Sequence, residues 1–423
     1  MSRGPEADYD VIVCGGGAAG VGAAIGAAKA GAKVCLVEKY GFLGGAATAA
    51  QVLAYCGMFQ QGRTPVQAVG GVGHEVLEQL RVHGLDGTAH RSPTTGNWIV
   101  LLDSEVLKYT LDQLVMCYGV DVKLHTRLAA VTRTGARLEG VTMAGMAGRH
   151  HVVSEAFVDA SGDANLAMLA GLDCTTGDAE GQLQALSMPL RIGGLSPDIE
   201  IDRDRLIDAI GRYNRDGRFP IPREDGGIFT RLPLSGDMWW MIVDLDLPDL
   251  DSESFSRAEM TGRAMAQEYV ALLRREMPGF GSAHLVATGP QVGVRETRHP
   301  AARHTLSGAD VFEGRQYDTG LARAAWPSEL HGAAGKPVYT PVGGPGYFQV
   351  PYDALRAAGI DNLWYGGRVI GADAEAYGSV RVMGTAFATG EAAGVAATDY
   401  ADRNRQIDPA EVQARLRAQG ALI

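Results

Sequence analysis

Asp10-Val-Ile-Val-Cys-Gly-Gly-Gly-Ala-Ala-Gly20 decides the fold: a short apolar run enters Gly15-x-Gly17-x-x-Gly20 and leaves as an alanine-rich helical stretch. A strand, a glycine loop and a helix in that order form a dinucleotide cradle. The loop lets backbone close on a pyrophosphate, and the helix N-terminus offers its unpaired N–H groups to the charge. In this reading Gly15 makes the tight turn, Gly17 and Ala19 lie at the phosphates, and Gly20 lets helix pack on strand. Lys33-Val-Cys-Leu-Val-Glu38 follows as a second strand that ends in an acid, eighteen residues past Gly20, where a carboxylate meets an adenosine ribose.

The next residues select among dinucleotides. Lys39-Tyr-Gly-Phe-Leu-Gly44-Gly45-Ala-Ala-Thr48 is a second glycine-rich loop that a plain NAD domain does not need. FAD is longer than its adenine half, so the chain must supply a surface past the pyrophosphate, and Gly44 and Gly45 permit that approach. Only one dinucleotide fingerprint is present, which argues against a second, tightly held NAD(P)H domain.

At 423 residues the chain exceeds what one core organises, and two closely joined domains are expected. Its 57 glycines are spread through loops without a period, so many turns approach something closely. A net charge of −11 without a long Lys/Arg run disfavours a nucleic-acid surface. Cysteines at 14, 35, 56, 117 and 174 show neither CxxC nor metal spacing, so no metal is expected and a reducing cytoplasm fits best. Met1 to Glu6 lacks an apolar signal core, and no run of about 18 apolar residues suggests a membrane span.

Along the chain, Val72–Arg81 carries helical periodicity within a cap, and Asp103 or Ser104 caps a helix whose apolar face includes Leu107, Leu111 and Leu114. Val120–Arg127 reads as a strand that leaves Leu128 beside the adenine. A hairpin turns at Thr134-Gly135, and strand Ala156–Ala160 runs into Ser161-Gly-Asp163. From about Gly177 to Tyr352 the patterns mix a strand at Met238, a helix from Arg257 to Met277, and Gly/Pro loops. The chain then returns through Ile360–Arg368 to a closing helix from about Ser379 to Tyr400. The expected division is 1–50, 100–176 and 356–423 for FAD, and 51–99 and 177–355 for substrate.

These residues resemble the FAD-dependent oxidoreductase family of the glutathione-reductase-like flavoproteins, nearly end to end. The resemblance rests on Val13–Gly20, Glu38–Thr48, Asp159-Ala-Ser-Gly-Asp163, Ser256–Arg263, Gly293-Val-Arg-Glu-Thr-Arg298 and Gly378-Ser-Val-Arg-Val-Met383. It implies an α/β fold, a Rossmann-type FAD domain with an interleaved α+β substrate domain. It also implies FAD held at Gly15, Gly17, Gly20, Glu38, Lys39, Gly44, Gly45, Leu128, Ser161, Asp163 and a turn of Gly378, Ser379, Val380 and Arg381. With Ser379 as N-cap, the closing helix would direct its positive end at the reduced flavin.

For catalysis, Arg295 and Arg298 are candidates to hold a substrate carboxylate, with a structural salt bridge as the alternative. In a strand residues three apart face opposite sides, so one of the two points inward and the other pairs with Glu296 or a nearby acid. The segment holding His331 resembles one that crosses toward the active site in the family, which makes His331 a candidate base, or else a satisfied buried histidine. His299 and His304 are weaker candidates, and His150-His151 faces solvent. Cys56 is expected to be a plain buried thiol rather than a flavin anchor, and Trp239-Trp240 to be core. Asp373 and Glu375 stand where the family more often has a non-acidic residue, within reach of a ribityl hydroxyl or a substrate proton.

The sequence therefore predicts an FAD-dependent oxidoreductase that oxidises a small polar or acidic organic substrate by hydride transfer to flavin N5, then passes electrons to oxygen, a quinone or a redox protein. Two other readings stay open: a monooxygenase using transient NAD(P)H and O2, and a flavin-binding regulatory or assembly protein without turnover. Substrate identity and oligomeric state are not encoded in these motifs.

Overall fold

The computed structural model describes residues 7–332, 334–403 and 408–423, so Met1 to Glu6, where no apolar signal core was expected, lies outside the described residues. Its centre is a parallel sheet. Strand Tyr9–Cys14 lies between Val34–Val37 and Gly148–Asp159, with Val11 opposite Val34 and Val13 opposite Val158. Asp121–Lys123 extends one edge beyond Val34–Val37.

The long strand Gly148–Asp159 serves two neighbours along one edge. Its first half pairs antiparallel with Arg137–Gly145, which continues the hairpin from Arg127–Thr134. Its second half pairs parallel with Leu363–Tyr365, so the chain's return joins the parallel part of the sheet. Strand residues Val11 to Val13, Cys35, Leu36 and Ala156 to Val158 are fully buried, as apolar runs covered on both faces must be.

Helix Ala18–Lys29 covers this sheet and packs on helix Met383–Arg403 at backbone distance. A Cβ on Gly390 would stand 2.0 Å from Ala19 O, and one on Gly394 would stand 2.1 Å from Ala23 O. Gly22 faces Phe387 O as closely, at 2.5 Å. Glycine and alanine at these positions are what lets the two helices touch.

A second core forms around the four-stranded antiparallel sheet Ile228–Arg231, Met238–Leu245, Leu186–Gly193 and His284–Ala287, in that spatial order. Helices Arg203–Tyr213 and Ser252–Glu276 bury their apolar faces on it. Trp240 is wholly buried here and donates to Gly226 O at 2.9 Å, while Trp239 donates to Gln51 O at 2.8 Å and belongs to the larger core. The buried apolar residues between Leu53 and Leu85 also join the larger core.

Three local expectations need correction. The predicted strand 120–127 is interrupted after Lys123, because His125 takes a left-handed conformation (φ 52°) before Arg127 starts the next strand. The closing helix does not begin at Ser379. A short helix, Ala374–Val380, precedes it, and the long one starts at Met383. Ser379 lies inside the short helix, where its hydroxyl donates to Trp326 O instead of capping anything. Asp373 is the true cap, accepting from Ala376 N at 2.8 Å and also from Gly308 N at 2.9 Å, so its carboxylate is occupied by backbone.

Candidate functional site

A cleft of about 650 Å³ runs from the first glycine loop to the start of helix Met383–Arg403. Gly15 has φ 102°, and a Cβ there would meet Ala160 O at 2.5 Å, so the turn at the strand's end admits only glycine. Gly20 faces away from the cleft; its hydrogen lies against Gly15 O, where a Cβ would be 1.6 Å away. The second glycine loop closes on the first. Gly44 N donates to Gly16 O at 2.9 Å, and a Cβ on Gly45 would stand 2.8 Å from Gly17 Cα.

Glu38 is 6% exposed and lines the cleft, with Gly16 N (2.6 Å) and Tyr40 N (2.9 Å) donating to its two oxygens. Asp159, fully buried at the end of its strand, accepts from Ser161 N, Leu166 N and Ala167 N and so shapes the loop that carries Ser161 and Asp163. Burial raises its carboxyl above the ordinary value despite these donors. Asp163 then gathers the cations of the wall: Arg368 Nη2 at 3.2 Å and Lys39 Nζ at 3.7 Å, while Arg298 Nη1 donates to its carbonyl at 3.0 Å.

Of the residues expected at a cofactor, Gly15, Gly17, Ala19, Glu38, Lys39, Gly45, Leu128, Ser161, Asp163 and Arg381 line the cleft. Gly44 does not, and neither do Gly378, Ser379 and Val380, which are buried in the short helix; only Arg381 of that turn reaches the wall. Arg127 and Arg368 line the cleft as well, although neither was expected as a cofactor contact. With Lys39, Arg298 and Arg381 they give five cations against the three carboxylates Glu38, Asp163 and Glu259, an excess suited to a diphosphate. The helix Ala18–Lys29 adds its N-terminus, where no side chain caps Gly17. Geometry and charge both fit FAD.

The candidate catalytic residues separate. Arg298 lines the cleft, but Arg295 is 8% exposed and turned into the second core, donating to Ala185 O and pairing with Asp244 at 3.3 Å. Glu296 pairs with His299 at 2.7 Å rather than with either arginine. Glu375 and the capping Asp373 do not line the cleft wall.

His331 is buried and does not line the cleft; it belongs to a cluster centred on a residue the motifs did not reveal, Glu329, which meets the cleft wall through Arg381. His331 Nε2 (2.8 Å), Tyr339 OH (2.9 Å) and Trp326 Nε1 (2.8 Å) all donate to the Glu329 carboxylate. Arg381 Nη2 lies 3.7 Å from it and donates to the Glu329 carbonyl at 3.0 Å. Burial alone would raise this carboxyl, but the His331 hydrogen bond and the Arg381 charge hold it well below the usual range. Burial, reinforced by the charge of Arg295, lowers His331 to about 4. Cys56 belongs to the same neighbourhood, and burial together with the Glu329 charge keeps its thiol protonated. The strand Ser328–Leu330 that presents Glu329 pairs with Val338–Thr340, which is why Tyr339 faces it. Alternation of those two short strands was the only sequence signal for the pair.

The chain matches the profile of a family of FAD dependent oxidoreductases across residues 10–416. A digeranylgeranylglycerophospholipid reductase of Methanoculleus marisnigri is 28% identical over 185 residues, 39% of this chain and 42% of that protein, so the likeness spans less than half of the relative. Among solved structures, a geranylgeranyl bacteriochlorophyll reductase-like protein from Thermoplasma acidophilum aligns over 97% of this chain and 82% of its own, at 14% identity and TM-score 0.47. The p-nitrophenol 4-monooxygenase of Pseudomonas putida aligns over 71% of each chain, at 13% identity and TM-score 0.43. With its dinucleotide loops in place and the profile satisfied over almost its whole length, this chain belongs to the FAD dependent oxidoreductase family and is an FAD-dependent enzyme.

Proposed function

We propose that the enzyme oxidises a small polar or acidic organic substrate at the Arg381 end of the cleft. The observation that carries this reading is the Glu329 cluster: a buried, ionised carboxylate that receives His331 and is met by Arg381, a residue of the cleft wall. In this assignment Gly15, Gly17 and Ala19 hold the diphosphate of FAD, Glu38 its adenosine ribose and Leu128 its adenine. Lys39, Gly44, Gly45, Ser161 and Asp163 line its path. Segments 1–50, 100–176 and 356–423 serve the cofactor, and 51–99 and 177–355 the substrate.

FAD, when bound, supplies the acceptor for two electrons. The protein's part is to orient the substrate and take the proton. Because His331 Nε2–H is donated to Glu329, the lone pair sits on Nδ1, which is buried and without a partner among the described residues. A neutral imidazole with a fixed tautomer is a general base over the whole range above its depressed pKa. Arg298 and Arg381, both on the wall, supply the positive charge that draws an acidic substrate.

Anaerobic mixing of the FAD-loaded protein with hydroxy acids, amino acids and amines tests this. Bleaching of the flavin's visible band by one class, abolished in H331N with FAD content unchanged, is the expected result. Reduction only by NAD(P)H, stimulated by a substrate, would replace it with the monooxygenase reading. Flavin that no donor reduces would indicate a flavin-binding protein without turnover.

A further inference from the structure

A second cavity, of about 330 Å³, opens on the far side of the Glu329 cluster. Three segments build it: Gln61 with Thr94 to Asn97, Arg223 with Asp225 and Ile228, and Pro327 with Lys336 to Pro341. Tyr339 connects it to the chemistry, since this tyrosine lines the cavity and donates to Glu329, which holds His331 and lies against Arg381 on the cleft wall.

The wall carries a preformed cationic group. Arg223, 3% exposed, grips Asp225 through Nε (2.9 Å) and Nη2 (3.0 Å), which leaves Nη1 outside the fork. Asp225 is fixed in turn by Gly227 N, and Arg203 donates to the carbonyls of Asp225 and Gly227, so the guanidinium cannot swing. Lys336 is exposed at the same wall and has no ion pair among the described residues. Two cations therefore face one carboxylate, and the excess positive charge belongs to Lys336. Asn97, 6% exposed, accepts from Gln61 through Oδ1, leaving its amide hydrogens for another acceptor.

We propose that this cavity is a second site, separate from the FAD cleft, and that it takes the carboxylate of a small organic acid, with Lys336 as the charge that binds it and Arg223 as the rigid wall behind. The cavity and the cleft share no lining residue, and the chain Tyr339, Glu329, Arg381 is what links them, so an acid held here acts on the cleft through that cluster. The volume corresponds to about eleven waters at ~30 Å³ each, enough for a compact acid and too small for a long prenyl chain.

Equilibrium binding of benzoate and of uncharged benzamide to the FAD-loaded protein, followed by ligand-observed NMR, tests the anchor without turnover. Benzoate is expected to bind saturably and more tightly than benzamide. K336Q should weaken benzoate by roughly fivefold or more, K336R should restore it, and neither should move benzamide. The assignment is overturned if K336Q leaves benzoate unchanged, if no saturable binding occurs at millimolar concentration, or if loading FAD displaces benzoate, which would place it in the large cleft. Benzoate binding that follows Lys336 in a protein no donor can reduce would keep the anchor and sink the oxidation reading.

Discussion

Glu391 offers a sharp test of how burial is distributed in this fold. It sits on helix Met383–Arg403, 1% exposed, with Oε2 accepting from Val72 N at 2.9 Å and Oε1 lacking a partner. Burial, opposed only in part by the Val72 hydrogen bond and the Lys29 charge, raises its carboxyl from 4.5 to about 7. A group whose folded pKa lies above its unfolded one binds more protons in the native state. Its contribution is complete below about pH 4.5 and is lost as pH rises through about 7. At ~1.4 kcal/mol per unit, the native state loses at most about 3 kcal/mol across that window. Glu391→Gln keeps an acceptor for Val72 N–H and cannot ionise, so its stability should not follow this fall. Urea unfolding at saturating FAD, at about pH 5 and about pH 8, should show the variant gaining up to about 3 kcal/mol on the parent at the higher pH. Parallel pH dependences for the two proteins would refute the reasoning, because all other titrating groups are common to both.

The remaining predictions concern the site and the core. Gly45→Val places a side chain against Gly17 at a residue with φ 56°, and should lower FAD affinity by about tenfold or more in a flavin-release titration. Glu329→Gln removes the charge that fixes His331, and the rate of anaerobic flavin reduction should fall by about 10²- to 10⁴-fold with FAD content intact. In the parent, reduction should rise with pH through about 4, where His331 loses its proton, and level off above it. Trp240→Ala empties the centre of the second core and should cost about 3–5 kcal/mol in urea unfolding, with FAD retained in the folded fraction.

The dinucleotide half was legible because its signals are local. The strand at Tyr9–Cys14, the glycine spacing and Glu38 each depend on residues a few positions apart, and Asp103 capped its helix as its residue type foretold. The closing helix was misread at its start because Ser379 has the chemistry of a cap and lies near the right place. Asp373, six residues earlier, takes that role, and the helix it starts is a short separate one. Arg295 and Arg298 were equivalent in the sequence, and only tertiary packing sends the first to Asp244 and the second to the cleft. Glu329 was invisible for the same reason: its donors come from Trp326, His331, Tyr339 and Arg381, and the last arrives from a distant segment.

The backbone contact between helices Ala18–Lys29 and Met383–Arg403 has a metric consequence. Ala19 meets Gly390 and Ala23 meets Gly394, a constant offset of 371 residues, so the helices run the same way in fixed register. Ala18 then lies level with Thr389, and Met383, six residues earlier, projects ~9 Å beyond it at 1.5 Å per residue. Both helix N-termini border the cleft, and neither helix can slide past the other without driving glycine backbone into carbonyl oxygen. The pair is a caliper set at one opening: it fixes the spacing of two helix ends along the cleft wall, whatever the loops around them do.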